Sequence, residues 1–285
     1  MIIFHDPHCI EYSAPGHPER PQRITNTLAL LKKRHPDWDW RHPAEAAPEA
    51  LLRVHSPEHV DQVRKALYDF DADTAAYPNI YQHALSSAGA AIRATDAALR
   101  GKHAFSLMRP PGHHATRDQA MGFCYFNNVA VAALNASPAA RVAIWDFDAH
   151  HGNGTEAIVA NHPEIAFASV HQSPAYPGTG LKSFANIHNF PLAPFTRRTD
   201  HVKTVEESLD TLLASKPDLI LVSAGFDAFR SDPITQMTLE IEDFATFGRW
   251  LRQTKTPAAA ILEGGYSEEL PELIEAFLTG WAGAA

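Results

Sequence analysis

Cysteine is scarce in this chain: of 285 residues only Cys9 and Cys124 carry thiols, and they lie far apart. Two isolated thiols make no disulfide framework and no cysteine-rich zinc module, and they point to a reducing compartment. Long apolar runs are also missing. No segment approaches the roughly 20 residues that a membrane-spanning helix needs, and Met1-Ile2-Ile3-Phe4-His5 has no basic leader before an apolar stretch. The expectation is a soluble, cytoplasmic protein with no membrane partner. Positive charge is in short supply, since 24 lysines and arginines against 33 aspartates and glutamates leave a formal net charge of −9. That balance argues against broad phosphate contact, so nucleic acid is not an expected partner. It is compatible with cationic substrates. Internal repeats, low-complexity tracts and long linkers are absent too, so nothing divides the chain. With 45% apolar residues, residues 1–285 read as a single domain.

What is present is an alternation of short apolar strands and longer helical segments. Strands are expected at Ile2–His5, Ala104–Met108, Val142–Asp146, Ile165–Val170, Leu219–Ser223 and Ala258–Leu262. Helices are expected around Gln22–Lys33, Glu58–Leu67, Ile80–Leu99, Tyr125–Asn135, Glu156–Ala160, Val202–Ala214, Ile241–Thr254 and Glu268–Phe277, with Pro191–Arg198 as an irregular loop. Such an order predicts an α/β fold with a central parallel β-sheet flanked by helices on both faces.

In open α/β sheets ligands gather beyond the carboxyl ends of the strands, and four of these strands end in residues that carry chemistry. Val142–Trp145 runs into Asp146-Phe147-Asp148-Ala149-His150-His151-Gly152-Asn153-Gly154. If the chain stays extended, Asp146, Asp148 and His150 share one side and Phe147 and Ala149 the other, so Asp148 and His150 can converge on a cation. Gly152-Asn153-Gly154 allows a sharp turn, with Thr155 as N-cap of the next helix. After the strand near Ala104, Arg109-Pro110-Pro111-Gly112 leads to the tandem His113-His114. Leu219–Ala224 ends in Gly225-Phe226-Asp227, a second carboxylate at a strand exit, and Ala258–Leu262 ends in Glu263-Gly264-Gly265-Tyr266. Taken singly, each has a plain alternative: a solvated acidic turn, a core histidine pair, or an ordinary Gly-Gly turn. Four exits of one design argue for a metalloenzyme.

These motifs, with Gly16-His17-Pro18-Glu19-Arg20-Pro21-Gln22-Arg23-Ile24 and Gly122-Phe123-Cys124-Tyr125-Phe126-Asn127-Asn128, resemble those of the histone deacetylase superfamily. The likeness covers nearly the whole chain and is similar to the class II and bacterial branch, which includes the acetylpolyamine amidohydrolases. The resemblance implies the arginase-deacetylase fold and hydrolysis of an N-acetyl amide by metal-activated water, with Asp148, His150 and Asp227 holding Zn²⁺, or Fe²⁺ or Co²⁺ in its place. It implies that His114 is the general base, that His113 acts through electrostatics and is oriented by Asp146, and that Tyr266 donates to the carbonyl oxygen. Asn153 stands where class I members carry an acid, which should keep the basicity of His114 lower. Gly122, Phe123 and Tyr176 match the substrate channel, with Tyr176 in place of the usual phenylalanine, and Asp73 matches a rim residue.

The same resemblance suggests a potassium ion near Asp146, Asp148, His150, Ser169 and Val170. It gives Arg23 a role behind the metal, although a surface helix charge reads equally well there. An acetylated lysine peptide or a small acylated amine is the expected substrate partner, with acetylpolyamine hydrolysis as the alternative; the short Asp6–Gly16 segment tilts away from the polyamine branch. Two further readings stand beside these. A binuclear manganese ureohydrolase of the arginase kind would need additional bridging carboxylates, and a non-catalytic acyl-ligand sensor would need neither His114 nor Tyr266.

Overall fold

Strands Val142–Asp146, Leu219–Ala224 and Ala258–Leu262 are buried at every residue, although successive side chains on a strand face opposite ways. Both faces of the sheet are therefore covered, the condition under which parallel sheets occur. The computed structural model describes residues 1–136 and 140–283. Its strands are β1 (Ile2–Phe4), β2 (Asp39–Arg41), β3 (Ala104–Ser106), β4 (Val142–Asp146), β5 (Ile165–Gln172), β6 (Ile187–Leu192), β7 (Leu219–Ala224) and β8 (Ala258–Leu262). They form one sheet in the order β2-β1-β3-β8-β7-β4-β5-β6, with every pairing parallel.

The helices are α1 (Gln22–Arg34), α2 (Pro48–Leu52), α3 (Pro57–Lys65), α4 (Ile80–Leu99), α5 (Asn128–Asn135), α6 (Asn153–Val159), α7 (Arg198–Leu213), α8 (Ile241–Thr254) and α9 (Leu270–Ala282). The alanine-rich α4 packs on β3 and β8 and on α5, whereas α7 covers β4 and β5 and α8 joins it to α9. Small side chains let α4 lie close to the sheet, and most of its residues are buried. On α7, Ser208 accepts the indole N–H of the fully buried Trp145 at 2.9 Å, so the largest core side chain leaves no polar atom unpaired. Among the described residues no helix is long and apolar enough to cross a membrane.

The expected alternation is present, and the differences lie at edges and ends. Strands β2 and β6 and the short helix α2 were not anticipated. β2 is a three-residue edge strand, and β6 is a partly exposed edge strand containing Pro191, which takes the first two residues of the expected loop Pro191–Arg198. An edge strand tolerates proline because its outward N–H has no partner to lose. Helix α5 starts at Asn128 rather than Tyr125, since the Asn127 side chain accepts the Ala130 N–H and caps it. The expected cap Thr155 lies inside α6, whose N-cap is Gly152; buried Thr155 instead bonds Asn127 and its N–H donates to the His113 carbonyl at 3.1 Å.

One buried group on α7 gives the fold a pH dependence. His201 is buried, and among the described residues its Nδ1 has no partner. Burial, opposed by Asp243, lowers its proton affinity to about 4. An unfolded histidine titrates near 6.5, so between about 6.5 and 4 the unfolded chain binds a proton that the fold excludes. Stability from this group is complete above that window and falls as pH drops through it, by at most about 1.4 kcal/mol per pH unit. Urea unfolding of His201→Leu beside the parent should show the variant gaining relative stability from pH 7 to 5; parallel curves would remove the assignment.

Candidate active site and metal centre

The strand order explains why four separate motifs meet. β3, β8, β7 and β4 are consecutive neighbours in the sheet, so the segments that follow them emerge side by side: His113-His114, Glu263–Tyr266, Gly225–Asp227 and Asp146–His151. Strand geometry ends at Asp146, yet the alternation continues, held by side chains. Asp146 Oδ1 accepts the Asp148 N–H at 3.1 Å, and Asp148 Oδ1 accepts the His150 N–H at 2.8 Å. Phe147 points to the other side, among Trp145, Phe226, Phe247 and Phe277 with ring centroids 5.2 to 6.0 Å away, and Ala149 is buried as well.

Asp148, His150 and Asp227 are all buried, and one donor atom from each lies within 4.8 Å of the others. Their remaining valences are used to orient them. Asp227 Oδ1 accepts the Ala149 N–H at 2.7 Å, its Oδ2 lies 2.8 Å from His150 Nδ1, and Asp148 Oδ2 accepts the Gly264 N–H at 2.8 Å. Two carboxylates and one imidazole, fixed by backbone donors in a buried site, are a donor set suited to one divalent cation with coordination positions left open. Among the described residues this is the one group of its kind, so the cluster of bridging carboxylates expected for a binuclear manganese site does not accompany it.

The glycines here are spacers that bring backbone close to the ligands. A Cβ on Gly225 would fall inside the Asp148 carboxylate, and one on Gly264 would meet the carboxylates of Asp227 and Asp148. Gly225→Ala should therefore weaken metal binding by about 10- to 100-fold, as loss of ligand orientation does, which a competitive chelator titration measures. An unchanged affinity would show that the carboxylates can move aside.

The tandem histidines have different surroundings. His113 Nδ1 lies 3.0 Å from Asp146 Oδ2. Burial disfavours its charged ring, but the carboxylates of Asp148 and Asp146 outweigh it and raise its proton affinity to about 10. His114 Nδ1 lies 2.7 Å from Asn153 Oδ1. Burial first, then the His113 and His150 rings, hold His114 well below the ordinary histidine range. The two rings lie 4.1 Å apart and His114 is 6.0 Å from His150. Tyr266 is buried, its N–H bonded to Asp232 Oδ2 at 2.8 Å, with the Arg23 guanidinium 4.8 Å from its ring centre. Burial keeps its hydroxyl protonated far above the usual range.

His114, Gly122, Phe123, His150, Tyr176 and Tyr266 line one cavity of about 290 Å³, with Asp73, Pro18 and Ile234 also in its wall. Phe123 is 5.8 Å from Tyr266 and Tyr176 is 5.1 Å from His114, both edge to face. Gly122 has φ of +55° and packs so closely that a Cβ would strike His114 and Tyr176. Asp73 is exposed, as a rim residue would be. Arg23 is no surface charge: it is buried and donates to Glu19 and to the carbonyls of Glu263 and Gly265. Ser169 pairs in register with Asp146, its hydroxyl 2.9 Å from His171 Nδ1, and Val170 follows it, buried.

Two acids escaped the sequence reading. Asp232, which holds the Tyr266 N–H, carries no motif that would mark it. Glu263 does carry a signal, since it directly follows the apolar strand Ala258–Leu262 as Asp146 ends its own.

An α/β fold with a buried Asp-His-Asp set at its central strand exits, opening on histidines and a tyrosine, defines a metal-dependent amide hydrolase. The model of the histone deacetylase domain matches residues 17–280, and the chain belongs to the histone deacetylase family. A probable deacetylase of Methanothermobacter thermautotrophicus is 35% identical over 286 residues, covering 94% of this chain and 86% of the relative. The histone deacetylase-like amidohydrolase of Pseudomonas aeruginosa is 36% identical over 283 residues, or 90% of this chain and 74% of its own. Among solved structures, the acetylpolyamine aminohydrolase of Burkholderia pseudomallei superposes with a TM-score of 0.90 at 25% identity, covering 99% of this chain and 98% of that one.

Proposed function

We propose that this chain, read as one catalytic domain over residues 1–285 in the cytoplasm, hydrolyses the N-acetyl amide of a lysine side chain or small amine to the free amine and acetate. One observation carries this reading: His114, His150 and Tyr266 share a single cavity with Gly122, Phe123 and Tyr176, so one acyl group can meet all of them. Asp148, His150 and Asp227 would hold the cation, which we assign as Zn²⁺, with Fe²⁺ or Co²⁺ able to take the same donors. When bound, it supplies Lewis acidity, lowering the proton affinity of water and polarising the acyl carbonyl.

The remaining work falls to side chains. Asn153 Oδ1 accepts from His114 Nδ1, which leaves Nε2 of an uncharged ring free to take the proton of the attacking water. The same nitrogen returns it to the leaving amine. His113, held by Asp146, contributes charge and hydrogen bonding nearby. The Tyr266 hydroxyl donates to the carbonyl oxygen as it gains negative charge. Phe123 and Tyr176 exclude water from the acyl chain, and the Gly122 carbonyl accepts the substrate amide N–H. Asp146, Asp148, His150, Ser169 and Val170 would hold a potassium ion behind the cation site.

Acetylpolyamine hydrolysis is the second reading, favoured by the exposed Asp73 carboxylate at the cavity mouth, where it can meet a distal ammonium. Acetate release by the zinc-loaded protein from an acetyl-lysine peptide and from acetylputrescine separates the two. We expect the peptide to be the better substrate. Turnover of acetylputrescine alone moves the assignment to polyamines, and turnover of neither contradicts both.

A further inference from the structure

At the end of β8 the chain buries a carboxylate completely: Glu263 has no exposed surface. Its Oε2 accepts the N–H of Gly112 at 2.7 Å and that of His113 at 3.1 Å, while Oε1 accepts the Ser223 hydroxyl at 3.1 Å. Ser223 belongs to β7, the strand that leads to Asp227. The residue after Glu263 continues the connection, because the Gly264 N–H donates to Asp148 and the Gly264 carbonyl accepts the Phe226 N–H at 3.1 Å. One short segment thus ties the His113-His114 turn to the exits of β4, β7 and β8. Among the described residues no cationic side chain forms an ion pair with the Glu263 carboxylate; its partners are two backbone amides and a hydroxyl.

We infer that Glu263 is a positioning residue: by accepting the Gly112 and His113 amides it fixes the turn that carries His114 at a set distance from the metal-bearing strands. The two N–H groups point the same way out of a turn stiffened by Pro110 and Pro111, and a buried donor left unpaired would pull that turn toward other partners. A glutamate is long enough to reach both amides from the end of β8 while its other oxygen is anchored on β7. Its negative charge, close to His113, is a separate property. Two substitutions divide reach from charge. Glu263→Gln keeps the length and an acceptor oxygen, and its amide NH₂ can donate to Ser223, whose hydroxyl also accepts. Glu263→Asp keeps the charge but is one methylene short.

The test compares kcat, KM and bound metal for both variants in metal-loaded protein, on the acetylated amine that the panel above selects, with circular dichroism to establish folding. Displacement of a reacting group by about 1 Å costs on the order of 100-fold, so Glu263→Asp should lower kcat by about that factor, with KM within about threefold and one ion retained. Glu263→Gln, which keeps the hydrogen bonds, should stay within about threefold of the parent. A Gln variant as impaired as the Asp variant would assign the effect to charge and overturn the inference. An Asp variant with parental kcat, or one that loses the ion, would overturn it as well. Should Glu263→Asp not fold, the Gln variant decides alone: near-parental kcat supports positioning and a large loss refutes it. The inference rests on His114 as the proton acceptor, so His114→Ala is assayed alongside; an active His114→Ala enzyme removes that assignment, a result separate from the ranking of the Gln and Asp variants.

Discussion

Replacing Tyr266 by phenylalanine is expected to lower kcat by about 10²- to 10³-fold, the cost of removing one donor aimed at a developing oxyanion. The substitution is clean because everything that holds the residue is independent of the hydroxyl. Its N–H is bonded to Asp232, and its ring is set between Phe123 and the Arg23 guanidinium. A phenylalanine ring meets the same neighbours, so fold and metal content should match the parent. KM should change little, since the donor strengthens its bond only as charge develops on the oxygen. Steady-state kinetics with metal analysis on the same sample checks this. A variant with parental kcat would end the oxyanion role, and one that loses the ion would show that Tyr266 acts on the site rather than on the substrate.

Asp227→Ala should have the largest effect of all. The carboxylate is one of the three groups proposed to hold the cation, and its two oxygens also hold the Ala149 N–H and face His150 Nδ1. Its removal takes away a ligand and loosens a second. Lewis-acid stabilisation is worth several kcal/mol, so activity should fall by about 10³- to 10⁴-fold, and the purified variant should carry less than stoichiometric metal after dialysis. A folded Asp227→Ala protein with a full complement of metal would mean that the cation is held elsewhere.

Part of the candidate site was legible because its groups follow an apolar strand within a few residues, whereas Gly122, Phe123 and Asp73 follow none and were marked only by the family likeness. Strand burial and strand exit are local signals, and Asp148, His150, Asp227, His113, His114 and Tyr266 could all be marked from them. Their adjacency was not local. β3 lies beside β8 with Ala104 opposite Ala259, and no periodicity in either strand encodes that partner. What placed the motifs together before the structure was the family likeness of their wording. The edge strands β2 and β6 were missed for the opposite reason: their residues alternate weakly or include proline, because one side of each has no partner to satisfy. Helix starts shifted where a side chain caps the backbone, as Asn127 does for α5. Asp232 stayed hidden because a carboxylate that accepts backbone N–H groups looks, in sequence, like any loop aspartate.

We propose that one cation held by Asp148, His150 and Asp227 drives hydrolysis of an acetylated amine. Stripping the protein with a chelator and titrating zinc back while following acetate release tests it most directly. Release should be absent from the stripped protein, rise with added zinc and level off at one ion per chain. Full activity in the stripped protein, a plateau that requires two ions, or no acetate at any zinc level would contradict it.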